Sequence, residues 1–325
     1  MMAAASIADS GRPGTVASRI PLVAAALVIL VAIALPAGLD NYYMRLMTTV
    51  MMYCVLAWSW NFIGGFVGYP SFGIAAFFGV GAYTGAILLS AKHVPLWLSP
   101  VAAAAVCFLV AVVLGLPILR LRGHYFAAAS FGIAEMFREI AMSWTDLTGG
   151  GMGINLPAAK PLFGTDARTF YYMMFILALV AFLTTLLVAR SRLGVAFRCI
   201  RQNEEAANMI GINATRTKII AFGLASAFPG AAGAIYASWV GYIDPTDAFD
   251  ILISVKAPVM ALLGGVGTVM GPAVGAIIYL ALEEVVTRYF LEFHAGLLGV
   301  VIVVIILFMP SGVLSVVRSR GRRLG

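Results

Sequence analysis

Long apolar blocks recur along this chain from end to end, and this recurrence limits the folds open to it. Each block has about 17–25 residues, the length that a helix needs to cross the hydrocarbon core of a bilayer. Of the 325 residues, 62% are hydrophobic and 11% are charged, whereas about 25% are charged in a typical soluble domain. A soluble core cannot cover so much apolar surface, so lipid must be the solvent for most of the chain.

The blocks predict an all-α integral membrane protein, a polytopic helical bundle of about ten membrane segments with Gly/Pro-broken helices. The predicted segments are 20–37, 46–64, 71–91, 96–118, 124–143, 170–189, 218–240, 251–264, 272–288 and 296–310. An even number of segments places both termini on one side of the membrane. The first block resembles the apolar part of a signal peptide, but the many later blocks favour an uncleaved first helix.

The distribution of basic residues agrees with this topology. With both termini in the cytoplasm, fourteen of the 21 basic residues fall on the cytoplasmic side, as the positive-inside bias requires. The net charge of +7 is therefore explained by membrane topology, and no nucleic-acid partner is expected. We predict a cytoplasmic N-terminal tail at 1–19, a membrane domain at 20–312 and a basic cytoplasmic C-terminal tail at 313–325.

Two segments, 64–73 and 264–272, interrupt the smooth apolar pattern. Each combines a Gly-Gly pair, a further glycine and a proline, which weaken helical continuity. At membrane depth such backbone is tolerated only where protein or water covers it, and paired interruptions can mark a translocation pathway. The alternative is that these glycines end helices and allow close packing. The pair favours the pathway, with Gly64, Gly65, Tyr69, Ser71, Gly264, Gly265 and Thr268 as candidate residues.

Charged residues inside one predicted segment leave two interpretations open. Glu135, Arg138 and Glu139 share one helical face, and within a span such charges usually face the bundle interior or water. Glu135 is therefore a further pathway candidate. Alternatively, the cluster lies at the membrane surface near the end of its segment. The three cysteines and three histidines are dispersed along the chain, so no metal site is expected.

The predicted extracytoplasmic loop at 144–168 contains a glycine-rich stretch at 148–154, which we expect to be too flexible for a helix. The stretch lacks the Gly-Lys-Ser/Thr ending of a phosphate-binding loop, and no such motif occurs elsewhere in the chain. The chain is therefore not expected to bind ATP or to act as an enzyme. A receiving surface for a binding protein is the better interpretation of this loop.

The polar stretch 190–218, the longest between two apolar blocks, carries a family signature. The residues from Glu205 to Gly211 match the E-A-A-x-x-x-G pattern of cytoplasmic loops in ABC importer permeases. Several other stretches resemble the branched-chain amino acid permeases of the LivM type. They are 200–204 and 211–213 beside the signature, 230–237 and 263–272 further on, and 71–83, 121–126 and 147–150 upstream. This resemblance covers roughly residues 42 to 312.

The physical logic of the signature is a short helix in a cytoplasmic loop. Its small residues allow close approach to a partner, and Gly211 can supply a helix-ending conformation. The resemblance implies that the residues coupling the chain to an ATPase are Glu204, Glu205, Ala206, Ala207 and Gly211. The alternative is a solvated loop that only orients the protein in the membrane.

The resemblance also implies a function and a set of partners. It implies the permease subunit of an ATP-driven importer of branched-chain or related hydrophobic amino acids, in the bacterial inner membrane with both termini cytoplasmic. The implied partners are a second related permease, two ATPase subunits, an extracytoplasmic binding protein and the lipid bilayer. No cofactor is implied for this chain, since the partner subunits use the ATP. Alternatives are import of urea or short amides, and secondary transport driven by an ion gradient. A membrane enzyme is disfavoured, since no nucleophile–base or metal-ligand spacing is evident.

Overall fold

The computed structural model describes residues 40–92, 94–156 and 166–289, with residues 36, 38, 296, 299, 312 and 313. The chain divides into a short first unit, Met1–Met44, and a second unit, Arg45–Gly325. The helical bundle from residue 45 onward belongs to the second unit. The predicted segments 20–37 and 296–310, and the predicted tails 1–19 and 313–325, lie wholly or almost wholly outside the described residues.

The described part of the chain is mainly helical, and every predicted segment between 46 and 288 corresponds to a helix. The first helices are α1 (Asn41–Trp60), continued by a π-helix (Asn61–Val67), α2 (Ile74–Lys92), α3 (Ser99–Ile118), α4 (His124–Ser143), α5 (Thr145–Thr148) and a 3₁₀-helix (Gly150–Met152). They are followed by α6 (Asp166–Arg190), α7 (Arg192–Gln202), α8 (Glu204–Met209), α9 (Ala214–Val240), α10 (Pro245–Ala248), α11 (Ile251–Gly264) and α12 (Gly271–Tyr289).

Among the described residues, five helices are long and apolar enough to cross a membrane. They are Asn41–Val67, Ile74–Lys92, Ser99–Ile118, Ala167–Arg190 and Ala214–Val240. The helices α4 and α12 each carry three charged residues, and α11 has only 14 residues. The class of helical membrane protein is therefore supported, while the count of about ten segments stays a prediction.

The helix α9 forms the centre of the bundle and packs along both α2 and α3. A β-carbon at Gly81 of α2 would meet the backbone of Gly230 on α9, and one at Gly233 would meet the Phe78 carbonyl oxygen. Small residues let membrane helices approach backbone to backbone, which increases their van der Waals contact. Helices α11 and α12 pack in the same way, because a β-carbon at Gly275 would meet the Met260 carbonyl oxygen.

The first interruption, predicted at 64–73, begins after its Gly-Gly pair. The chain continues through Gly64 and Gly65 as a π-helix, and it leaves the helix only at Gly68, whose φ is +85°. The second interruption lies where it was predicted. There α11 ends at Gly264, Gly265 and Gly267 have φ of +127° and +76°, and α12 begins at residue 271.

A pair of two-residue strands is added to the helical bundle. Strand β1 (Ile154–Asn155) pairs antiparallel with β2 (Tyr242–Ile243), and Ile154 lies opposite Ile243. The partner of β1 lies far along the chain, so the local sequence around 154 could not reveal the pairing.

The glycine-rich stretch at 148–154, predicted to be too flexible for a helix, contains a short 3₁₀-helix at Gly150–Met152. The hydroxyl of Thr148, at the end of α5, donates to the Ala141 carbonyl at 2.6 Å. Gly149 and Gly150, with φ of +73° and +58°, then turn the chain through the left-handed region into the 3₁₀-helix. These glycines supply a turn that residues with a β-carbon adopt only at a cost.

Aspartates begin the two helices that follow β2. The Asp244 carboxylate accepts from the backbone N–H of Thr246 at 2.7 Å and of Asp247 at 3.0 Å. The Asp250 carboxylate accepts from the Leu252 N–H at 2.9 Å. Both act as N-caps, a role that aspartate fills well. We call residues 144–156 and 241–250 the acidic end of the protein.

Candidate functional site

Asparagine side chains hold both ends of α8 (Glu204–Met209). At its start, the Asn203 side-chain oxygen accepts from the Glu205 N–H at 2.9 Å, which caps the helix. Near its end, the Asn208 side-chain oxygen accepts from the Ala214 N–H at 3.1 Å and so ties α8 to the first residue of α9. The short helix expected in this stretch is therefore confirmed.

Gly211 ends α8 as the sequence predicted. Its φ is +87°, in the left-handed region that other residues adopt at a cost. The Gly211 N–H donates to the Asn208 carbonyl at 3.1 Å, and the Ile212 N–H donates to the Ala207 carbonyl at 3.0 Å. The carbonyl groups at the end of the helix are thereby satisfied.

A buried ion pair fastens α8 to the bundle. Lys218, in the first turns of α9, donates to the Glu204 carboxylate at 2.7 Å and to the Leu119 carbonyl at 2.9 Å. The Tyr69 hydroxyl donates to the other Glu204 oxygen and lies 3.2 Å from the Lys218 ammonium. The side chains of Lys218 and Glu204 are 5% and 16% exposed. We call Tyr69, Leu119, Glu204 and Lys218 the Glu204 cluster.

The contacts in the cluster keep Glu204 charged. Burial by itself raises the pKa of Glu204, but the hydrogen bonds from Lys218 and Tyr69 and the charges of Lys218 and Arg122 outweigh it. The net effect lowers the pKa below its ordinary value of 4.5. Burial and the contact with Glu204 raise the pKa of Tyr69. At neutral pH a carboxylate therefore accepts from a neutral phenol and an ammonium group.

Glu205, the next residue of α8, faces outward. Its carboxylate lies 3.3 Å from the Arg122 guanidinium, and the two side chains are 72% and 63% exposed. Pairs this exposed contribute little to stability. Beyond Glu205, Met209 and Ile210 are 87% and 70% exposed. We call Glu205, Met209 and Ile210 the outer face of α8, an apolar patch beside a carboxylate.

The two glycine segments meet each other close to this helix. The Asn61 amide nitrogen donates to the Thr268 carbonyl at 2.9 Å, and the Gly267 N–H donates to the Asn61 amide oxygen at 2.8 Å. From α7, Arg201 donates to the Gly65 carbonyl at 2.6 Å. The polar stretch 190–218 and both interruptions therefore form one connected region. With the turn at 119–123, we call it the basic end.

The remaining predicted residues lie in different surroundings. Ser71 is 3% exposed, and its carbonyl accepts from the Trp60 indole at 2.9 Å. Gly64 lies against the Trp60 ring, and Gly264 lies against the backbone of Gly271. Glu135 is paired on α4 with Arg138 at 2.8 Å, and its side chain is 37% exposed. None of the contacts described for Glu135 connects it to the Glu204 cluster.

The sequence assigns no individual role to Lys218 or Arg201 within the basic stretch 190–218, and it does not single out Asn61. Asn61 and Lys218 are polar side chains within apolar helices, where an unpartnered polar group is costly. That cost predicts that such a residue has a hydrogen-bond or ion-pair partner. A polar residue in an apolar stretch is therefore the sequence feature that could have identified these positions. The sequence does not indicate which partner, because Asn61 and Thr268 are 207 residues apart.

Comparisons with known proteins identify the family to which the chain belongs. Residues 42–308 match the family described as "Branched-chain amino acid transport system / permease component". The chain is 29% identical over 336 residues to the high-affinity branched-chain amino acid transport system permease protein LivM of Escherichia coli (strain K12), which covers 94% of this chain and 77% of the relative. The identity to LivM of Salmonella typhimurium is 28% over 318 residues, 90% of this chain and 74% of that protein.

A second type of permease from the same transport system is also similar. The LivH protein of Salmonella typhimurium is 23% identical over 283 residues, which cover 81% of this chain and 91% of the relative. No solved structure matches the chain.

Proposed function

Because the chain belongs to the family of branched-chain amino acid transport system permease components, we propose that it is the membrane subunit of an ATP-driven ABC importer. The proposed substrates are branched-chain or related hydrophobic amino acids. The family and the apolar helices support a multi-pass protein of the bacterial inner membrane. We place both termini, and the basic end, in the cytoplasm, because basic loops are retained on that side.

The observation that supports this proposal is how α8 contacts the rest of the protein on one side and is exposed on the other. Its inner side is fastened to α9 through the buried pair of Glu204 and Lys218. Its outer face presents exposed apolar side chains next to a carboxylate, a composition suited to a groove on a soluble partner. A push on the outer face would therefore move α9, and α9 packs along α2 and α3. We propose that this partner is an ATPase subunit.

The further partners follow from the proposed mechanism. Two ATPase subunits would use the ATP, and an extracytoplasmic protein would deliver the substrate. A second, related permease would complete the membrane domain, and the similarity to both LivM and LivH supports such a pairing.

A test of this proposal is uptake of leucine into proteoliposomes that contain the full complex. We expect uptake to require ATP and both ATPase subunits, and to persist without an ion gradient. Gradient-driven uptake without ATP would favour the secondary transporter, for which the ion pair between Lys256 and Glu283, at 2.7 Å, would be the natural starting point. Uptake of urea in place of leucine would retain the mechanism and change the substrate.

A charge reversal tests the docking role of the outer face. We expect Glu205→Lys to weaken co-purification with the ATPases while the chain still inserts and folds, since Glu205 is exposed. Glu205→Gln, which removes the charge without reversing it, is the matched control and should have a smaller effect. Normal complex formation and coupled uptake in Glu205→Lys would mean that this loop only orients the protein.

We further propose that the two glycine segments border the translocation route at its cytoplasmic mouth. Single cysteines at Ser71 and Thr268, on a background without the native cysteines, should react with small aqueous thiol reagents. Ser71 is buried in the conformation described here, so its reaction should depend on nucleotide state, and Thr268 should react more readily. Protection of both cysteines in every nucleotide state would contradict the proposal.

A further inference from the structure

A cavity of about 580 Å³ lies at the acidic end, remote from α8. Its walls come from the first turns of α1, the last turns of α9, and the segment that leads into α11. Ligand sites typically have volumes of about 300–1,000 Å³, so the cavity is large enough for a small solute with several waters. The 27 residues of α9 correspond to about 40 Å of helix, which places the cavity across the membrane from the basic end.

Two carboxylates line this cavity, and one of them has no partner within the described part of the chain. Asp250 caps α11 through its bond from the Leu252 N–H. Asp247 also lines the cavity, and no described side chain or N–H group donates to its carboxylate. Burial raises the pKa of Asp247, and the charges of Asp244 and Asp250 raise it further. A carboxylate in such surroundings favours a bound cation.

The walls beside the carboxylates are aromatic. Tyr236 and Trp239 project from the last turns of α9, with ring centroids 6.3 Å apart and ring planes nearly perpendicular. Both rings line the cavity, as does Tyr53 from α1. Aromatic faces attract ammonium groups, and in this protein the Lys256 ammonium already lies 5.6 Å from the Tyr53 ring.

The rest of the lining provides the other requirements of a zwitterion with an aliphatic side chain. The lining includes Arg45, whose guanidinium matches the geometry of a carboxylate. Met52, Phe78, Val240 and Ile253 give an apolar wall. One guanidinium against two carboxylates leaves the lining with a net negative charge, so an ammonium group is the more strongly attracted end.

We infer that this cavity is a receiving site for a free aliphatic amino acid on the side opposite the coupling helix. The α-ammonium group is held by Asp247 and Asp250 beside the rings of Tyr236 and Trp239, and the carboxylate is held by Arg45. This inference rests on the proposed function, since it names where the amino acid first contacts the membrane subunit.

The test uses thiol labelling of the full complex in proteoliposomes, first without ATP. Thr49→Cys reports on the cavity, and Val240→Cys is a second reporter on another wall, both on a background without the native cysteines. The reagents are the cationic trimethylammonium and the anionic sulfonate methanethiosulfonates. The rate at which each reagent reacts with the neutral thiol 2-mercaptoethanol in free solution corrects for its intrinsic reactivity.

We expect the cationic reagent to react in the cavity about threefold faster or more than the anionic one after this correction. Leucine should slow labelling, 3-methylbutylamine should slow it less, and 4-methylpentanoate should not slow it. Asp247→Asn with Asp250→Asn should abolish both the charge preference and the protection by leucine. Asparagine also caps helices well, so the fold at 250 should be retained, and this is checked by the melting temperature.

Three results would overturn the inference, at either reporter. They are equal corrected rates for the two reagents, no protection by leucine, and equal protection by leucine and 4-methylpentanoate. ATP-driven uptake measured on the same preparations keeps the two proposals separate. Uptake without protection would overturn only the receiving site, whereas protection without ATP-dependent uptake would overturn only the proposed coupling.

Discussion

The two ends of the protein hold their loops in place by different means. At the basic end, buried side chains bridge separate helices, as Lys218 does between α9, α8 and the end of α3. At the acidic end, two strand residues pair with two others, and aspartates cap the helices next to them in sequence. The first arrangement links distant elements, so force on one reaches the others. The second fixes local shape around a cavity and leaves the Asp247 carboxylate free to face it.

Removal of the buried Lys218 ammonium should cause the largest loss of stability at either end. Lys218→Met leaves Glu204 without its main partner and the Leu119 carbonyl without its donor. Breaking a buried pair in this way costs about 3–5 kcal/mol. We expect a clear fall in melting temperature together with loss of ATPase association. At the acidic end, loss of the cap in Asp244→Ala should cost only about 1 kcal/mol.

Two further variants show whether the pair itself is responsible. Lys92→Met removes an exposed lysine from the end of α2 and should leave the melting temperature unchanged. Glu204→Gln combined with Lys218→Met should cost less than the sum of the two single changes. Additive effects, or a Lys218→Met effect no larger than that of Asp244→Ala, would contradict the contrast between the two ends.

The next largest loss of stability is expected where the two glycine segments contact each other. A methyl group in Gly65→Ala would overlap the Asn61 amide oxygen and lie 3.0 Å from the Gly267 nitrogen. Asn61 cannot turn away without losing its bonds to residues 267 and 268. We expect a loss of about 1–3 kcal/mol, measured by thermal unfolding. Gly132→Ala has open space around its β-carbon and should instead be neutral or slightly stabilising.

A smaller effect is expected at the end of α8. Gly211→Val has room for its side chain, so its cost is the left-handed backbone alone, about 1–2 kcal/mol. Uptake should fall more than membrane insertion, because the substitution also changes the surface next to Met209 and Ile210. Gly211→Asn, which tolerates positive φ better, should recover most of the uptake. Equal uptake in Gly211→Val and the wild type would show that this turn is not needed for coupling.

The smallest expected effect is on the pH dependence of stability, which should have opposite signs for Glu204 and Asp247. The lowered pKa of Glu204 means that its stabilisation is complete above its ordinary pKa and is lost as the pH falls through the folded-state value. The raised pKa of Asp247 has the opposite sign, since its folded form is favoured at low pH and loses stability as the pH rises.

Melting curves at pH 7 and in acid test both signs. Glu204→Gln should melt below the wild type at pH 7, and the gap should narrow as the pH falls below the ordinary pKa of 4.5. Asp247→Asn should melt at or above the wild type at pH 7, and this advantage should disappear in acid. The same sign of pH dependence for both variants would contradict the electrostatic difference between the two ends.

Local sequence predicted some parts of the site well and others poorly. Capping residues and glycines act on neighbouring backbone, so the short helix at 204 and the turn at Gly211 could be located from sequence. Helices were recognised from apolar length alone. The bond from Arg201 to the Gly65 carbonyl and the pairing of β1 with β2 depend on the packed bundle. The interruption predicted at 64–73 falls at residues 68–73, because the chain passes through Gly64 and Gly65 as a π-helix.

The π-helix at 61–67 makes this stretch sensitive to chain length as well as to residue type. Its hydrogen bonds span one residue more than those of an α-helix, and each α-helical residue turns the chain by about 100°. Deleting a single residue here would permit an ordinary α-helix while rotating Asn61 away from Gly267. Side-chain replacements in this turn can change the stability by small amounts. The gain or loss of one codon, by contrast, would uncouple the two glycine segments in a single step.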